Sequence, residues 1–377
     1  MPPAHAAATL ALMALAGVLS AVDYYVSPTG SNSNSGLSLG TAFQSITHAA
    51  TKVNPGDRVL IADGPYHGAV TLARSGNASA SITFRAINRW GAKIVANTGS
   101  NGLWINANYI EIDGLEVTNP GGHGINCEGR HHIRVLNCHV HNCGNSGISG
   151  AWSDFYHFEG NVCHHNAKLS WYSGISIYQA TGIGDDSPGY HIIIRGNICH
   201  SNLTAPANGP HTDGNGIIID DWNHTQNGNP DPPYPYGALV ENNLCFNNGG
   251  AGLKVVWSDH ILLRNNTSYG NNTDAVNDGT YRGDLYCQQS RGCVWVNNLS
   301  WAIPGTGILS HNTAMMDKGT PSGNSTTANI WWNNLFFNGT AGQPSVATGD
   351  GSAPVLAGNL AGVHPKLVAP GMTGSAD

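Results

Sequence analysis

The chain has 377 residues, of which 40% are hydrophobic and only 10% charged, with 49 glycines and a formal net charge of −7. So sparse and negative a charge excludes a nucleic-acid binder held by bulk attraction, and an acidic ligand would need a local cation, either a side chain or a metal. The hydrophobic share, carried in short β-like runs, excludes a disordered chain.

Residues 1–21, MPPAHAAATLALMALAGVLSA, read as a secretory leader. The apolar stretch is short for a bilayer and ends in small residues suited to cleavage. No later run is long and apolar enough to cross a membrane, so the expectation is a secreted monomer with one domain over residues 22–377. Eight cysteines suit an oxidising compartment. Cys287 and Cys293 flank a short loop and are candidates for a local pair.

The cap spans about residues 24–68. It opens with a strand and a Gly/Ser/Asn loop, and Thr41 to Val53 then reads as a short amphipathic helix with Phe43, Ile46 and Ala50 on one face. A helix there would cover an open sheet edge.

A repeat follows. NCHVHN (137–142), NVCHHN (161–166), NICHSN (197–202), NLCFNN (243–248) and NTSYGN (266–271) share N-x-x-x-x-N, and GLEVTN (114–119) fits with Gly first. The closest starts lie 23 or 24 residues apart. A β-like run precedes each motif, as in HIIIRG (191–196), and a second short strand follows, as in GIN (124–126), GIS (147–149), GISI (174–177), GIII (216–219) and GLKV (252–255). No stretch keeps a helical period. Such coils cannot bury an apolar face alone and must stack, which predicts an all-β parallel solenoid. The repeated Asn side chains are expected to hydrogen-bond from coil to coil. Cys163, Cys199 and Cys245 share one coil position and should form a packed column. His164 and His200 share another, continued by Phe246, Tyr269, Trp301 and Phe337, which suggests a stacked column rather than a metal site.

Insertions concentrate over about 166–240 and flank the GIII strand, so they should wall a groove. Trp171, Tyr172, Trp222, Tyr234 and Tyr236 are candidates for sugar stacking. Strand alternation sends Ile217 and Ile219 inward, and Ile218 and Asp220 outward. Aligning Gly216 with Gly252 sets Lys254 beside Ile218, roughly 8 Å from Asp220 between Cα atoms. Asp213 and Asp221 close the two ends of that strand. Asp213, Asp220 and Asp221 are candidate ligands for Ca²⁺, which favours hard oxygen donors. His211, Trp222 and Arg264 are candidates for substrate binding.

YYVSPTGS, the AFQSI helix, PGDRVLIADGPYHG and ITFRAIN resemble the opening of secreted right-handed β-helix proteins that act on polysaccharides. These are the family-nine pectate lyases and the family-six alginate and chondroitin lyases. GAGLK (250–254) resembles the family-nine segment whose lysine is the base. The resemblance implies a right-handed parallel β-helix and Ca²⁺-assisted β-elimination on an acidic polysaccharide, with pectate as the expected substrate and Lys254 as base. The acids depart from the family-nine D-D-G-W-D cluster, since Ile218 falls where a ligand is expected. Two other readings stand beside it. One is an inverting glycoside hydrolase using two of the three aspartates. The other is a noncatalytic glycan-binding solenoid.

Overall fold

The computed structural model describes residues 21–97, 99–169, 171–204, 211–274, 282–302, 312–319, 328–339, 345–349 and 351–366. The expected leader falls outside them, apart from Ala21. Among the described residues, no helix is long and apolar enough to cross a membrane.

Three parallel sheets of 12, 11 and 10 strands run along the molecule among the described residues. Successive coils give one strand to each sheet in a fixed order. Ile192–Arg195 joins the first sheet, Ile198–His200 the second and Ile217–Asp220 the third. The sequence reading found the first and third of these strands and missed the second, which lies inside the Asn motif itself. The apolar residues that alternate along each strand line one continuous core, where Ile192, Ile194, Cys199, Ile217 and Ile219 are buried.

Two Asn ladders hold the coils in register. Asn161, Asn197, Asn243, Asn266, Asn298 and Asn334 each donate from Nδ2 to the Oδ1 of the next, at 2.9–3.0 Å, and the ladder ends on Asn359. The same amides cap buried backbone. Asn197 Nδ2 donates to Phe158 O, and Asn197 N donates to Asn243 Oδ1. A second ladder links Asn166, Asn202, Asn248 and Asn271. Each amide thus uses its donors and acceptor where water is excluded.

Register bears out the predicted columns. Cys163, Cys199 and Cys245 are paired neighbours, as are His164, His200, Phe246, Tyr269, Trp301 and Phe337. At its first two members the Asn motif is offset by one residue. Cys138 and Cys143, not Asn137 and Asn142, face Asn161 and Asn166, and their N–H groups donate to those amides. Leu115, not Gly114, precedes the matching strand of the coil before. The expected Cys287–Cys293 bridge is not formed, and all eight cysteines are free and buried.

A glycine column explains the Gly that opens strands of the third sheet. A Cβ at Gly124, Gly147, Gly174 or Gly216 would lie 2.5–2.7 Å from the carbonyl of the next such glycine. The backbones therefore approach too closely for any side chain.

The cap helix is shorter than predicted. A 3₁₀ turn covers Leu39–Thr41, and the α-helix covers only Ile46–Ala50, capped by Ser45 Oγ accepting from His48 N. Phe43 is drawn into a parallel bridge with Val26, where its N–H donates to Tyr25 O, so the helix cannot start earlier. Phe43, Ile46 and Ala50 are all buried, as the periodicity required.

Candidate functional site

The outer face of the third sheet carries a cleft of about 480 Å³. Its floor follows one outward column, Asn126, Ser149, Ser176, Ile218 and Lys254, in register across five coils. Ser149, Ser176 and Ile218 line the cleft directly, with Asp213 and Asp220 at one end and His123 and Glu128 at the other. Trp152, Trp171, Tyr172 and Tyr178 form its aromatic sides, and the indoles of Trp152 and Trp171 are exposed.

Lys254 and Asp213 meet. Lys254 Nζ lies 3.2 Å from Asp213 Oδ1 and 5.8 Å from the Tyr286 ring centre, with both members of the ion pair mostly shielded from water. Asp213 (φ 59°) and Gly214 (φ 63°) are both left-handed, a turn that an aspartate tolerates and that carries its carboxylate over the strand. Asn215 Nδ2 donates to the same Asp213 oxygen at 3.3 Å. Ile218 is paired with Lys254, so Asp220 stands diagonally across from the lysine.

Asp220 accepts from Gln226 Nε2 at 3.2 Å. Burial pushes its carboxyl up to about 7, the Asp213 charge adds to the rise, and Lys254 opposes it. Two carboxylates thus crowd one end of the cleft with a single ammonium between them. A bound cation relieves such crowding.

Asp221 does not reach the cleft. It follows the strand at φ 53°, is fully buried, and accepts from Gln179 Nε2, Thr225 N, Thr225 Oγ1 and Gln226 N at 2.7–2.9 Å. Its oxygens are spent on fixing the following loop. A three-aspartate cation site is therefore not assembled. Only Asp213 and Asp220 of the expected set face the cleft.

The expected substrate contacts divide. Trp222 is 1% exposed, donates from Nε1 to Ile177 O and packs edge-on against Tyr234, so it belongs to the core. Arg264 lies on the first sheet, its Nε 2.6 Å from Glu241 Oε2, in a ladder of surface ion pairs away from the cleft. His211 pairs through Nδ1 with Asp274 Oδ2 at 2.7 Å, two residues from Asp213. Tyr234 is buried and donates to Asp154, which also meets His191 Nδ1 at 2.8 Å. Tyr236 stacks on His191 and donates to Asp186. These groups pin the insertion loop, while Trp171 and Tyr172 do line the cleft as expected.

Sequence reasoning missed Glu128, His123, Trp152 and Tyr178. Glu128 accepts from Ser149 Oγ at 2.7 Å and Asn126 Nδ2 at 3.0 Å, and His123 Nε2 lies 3.5 Å away. The signal was available, since Glu128 stands two residues beyond Asn126 in the column that leads to Lys254.

Comparison with known proteins agrees with this architecture. Residues 24–168 match the family model described as the Pel9A-like, right handed beta helix region. Pectate lyase L of Dickeya chrysanthemi is 24% identical over 307 residues, which cover 73% of this chain and 62% of that protein. Pectate lyase L of Paenibacillus polymyxa is 24% identical over 357 residues, covering 84% and 73%. The chain thus spans about three fifths of the length of the Dickeya relative. Pectate lyase Pel9A superposes with a TM-score of 0.51 at 16% identity, over 90% of this chain and 78% of its own. XylC in complex with xylose does so with 0.51 at 12% identity, over 89% and 77%. The chain is a right-handed parallel β-helix protein similar to pectate lyases.

Proposed function

We propose that this protein is a secreted polysaccharide lyase that cleaves a uronic-acid glycan, with pectate as the favoured substrate, by β-elimination in the third-sheet cleft. The observation that carries the reading is the Lys254–Asp213 pair, set diagonally to Asp220 at the end of an aromatic-sided groove. The likeness to pectate lyases supports the reaction class.

In this reading the neutral Lys254 amine removes the C5 proton α to the uronate carboxylate, the C4–O4 bond breaks as the C4=C5 double bond forms, and the departing oxygen takes a proton from water; Asp213 fixes the lysine side chain beforehand. A lysine accepts a proton only when uncharged, so its partner must be engaged elsewhere at that moment. Asp213 and Asp220 are the residues that would hold a calcium ion, whose charge would offset the sugar carboxylate and make the neighbouring C–H more acidic. Trp152 and Trp171 offer stacking faces to sugar rings, and Ser149 and Ser176 offer hydroxyls. His211, held by Asp274, contacts the glycan at the rim.

The pair of retained acids also favours a second reading, hydrolysis with Asp220 as proton donor, because its carboxyl is raised to about 7. Glu128 is too distant to partner it. Three coil spacings of about 4.8 Å put their Cα atoms roughly 14 Å apart, against the roughly 6.5–9.5 Å carboxyl separation of inverting enzymes.

Incubation with polygalacturonate, alginate and chondroitin, with calcium or with chelator, separates these readings. The lyase yields an unsaturated non-reducing end that absorbs in the ultraviolet, and chelator suppresses it. Reducing ends without unsaturation would establish hydrolysis instead.

A further inference from the structure

A second cluster lies outside the cleft, on the outer face of the second sheet. Strand His139–His141 projects both imidazoles to one side while Val140 enters the core. Glu116 is the register partner of His139 in the preceding coil, and His164 is that of His141 in the following one. The ligand atoms of Glu116, His139 and His141 all lie within 4.8 Å of one another. His141 Nε2 is 3.1 Å from Glu116 Oε1, and His139 Nε2 is 2.7 Å from His164 Nε2. Glu116, His139 and His164 are buried, and the Trp90 ring covers His139 at 4.8 Å between centres.

Ring stacking accounts for part of this. His141 lies parallel to His164 at 4.9 Å, and His164 to His200 at 4.8 Å. Stacking does not require a ring nitrogen from each of two histidines on one strand to gather within 4.8 Å of a carboxylate oxygen. Nor does it favour two ring nitrogens face to face at 2.7 Å, where one proton at most can lie between them. Lys93 Nζ now occupies the cationic place, 2.9 Å from Glu116 Oε1, but its side chain is 45% exposed and can swing to water.

We propose that Glu116, His139 and His141 form a binding site for a borderline transition-metal cation such as Zn²⁺, with His164 placed to serve as a fourth ligand. Two or three imidazoles with one carboxylate suit such an ion and not calcium, so this site is chemically distinct from the cleft.

Co²⁺ is the probe. The full chain, stripped with chelator and desalted, is titrated with Co²⁺ near neutral pH. The expected result is a visible d–d absorption band that saturates at one equivalent and is displaced by Zn²⁺. His139→Gln and His141→Gln should each weaken it about tenfold or more, while Asp220→Asn leaves it intact. Absence of a band in the wild type, its survival in the His139→Gln/His141→Gln double variant, or its loss in Asp220→Asn would overturn the proposal. Thermal melting of the wild type with and without Zn²⁺ covers the case of a variant that fails to fold. A rise in Tm is expected, and none would contradict the site.

Discussion

Asp220 and Asp221 are adjacent acids with opposite fates. Alternation along Ile217–Asp220 sends Asp220 outward, and that much follows from the residue order. Asp221 leaves the strand in a left-handed conformation, where alternation no longer applies, and turns its carboxylate under the loop. The same turn buries Trp222. Neither orientation was legible, because Asp221 is set by the geometry of the loop that follows it, through Thr225 and Gln226, and by Gln179 from another coil, while Trp222 is set by Tyr234. Asp221→Ala should therefore act on the fold. Losing four hydrogen bonds to a buried carboxylate predicts a destabilisation of roughly 2–4 kcal/mol, read by urea unfolding. An unchanged midpoint would show that the loop is not anchored there.

The repeat element was the most legible part, since an Asn at fixed spacing before a hydrophobic alternation has one satisfying arrangement in stacked coils. Its first members slipped by one residue because Asn137 and Cys138 compete for the same alignment, and only pairing to Asn161 decides it. The strand within each motif was missed because three residues are too few to show a period. The second Asn ladder ends on an acid. Asp284 is fully buried and accepts from Asn271 N and Nδ2 and from Ser268 Oγ. Burial pushes its carboxyl up to about 7, although these hydrogen bonds pull the other way. A carboxyl raised above its unfolded value contributes stability that is whole below the unfolded pKa of about 4 and is lost as pH rises through the folded one near 7. Asp284→Asn should thus match the wild type near pH 4 or so and exceed it by about 1–4 kcal/mol above pH 7. A gap that is constant with pH, measured by urea unfolding across that range, would contradict the burial argument.

At the scale of the molecule, stacking register joins residues 41 positions apart, Asp213 and Lys254, at one end of a groove whose other end, Glu128, lies three coils from the Asp220 strand and four from Lys254. The insertions over 166–240 were readable as walls. Which aromatics face the groove was not, because Trp152 and Tyr178 stand at the ends of strands while Tyr234 and Tyr236 fold back onto the Asp154–His191 pair. Arg264 is bound into the ion-pair ladder of another sheet, so Arg264→Ala should leave turnover unchanged, and a marked loss would move the substrate path to that face. In the proposed elimination Lys254 performs the proton abstraction. The direct measurement is the rate of unsaturated-product formation from the preferred uronan, with calcium, for wild type and Lys254→Ala at matched folded concentration. Loss of about 10²–10⁴-fold in kcat is predicted for the variant. Unsaturated product formed at the wild-type rate without that amine would contradict it.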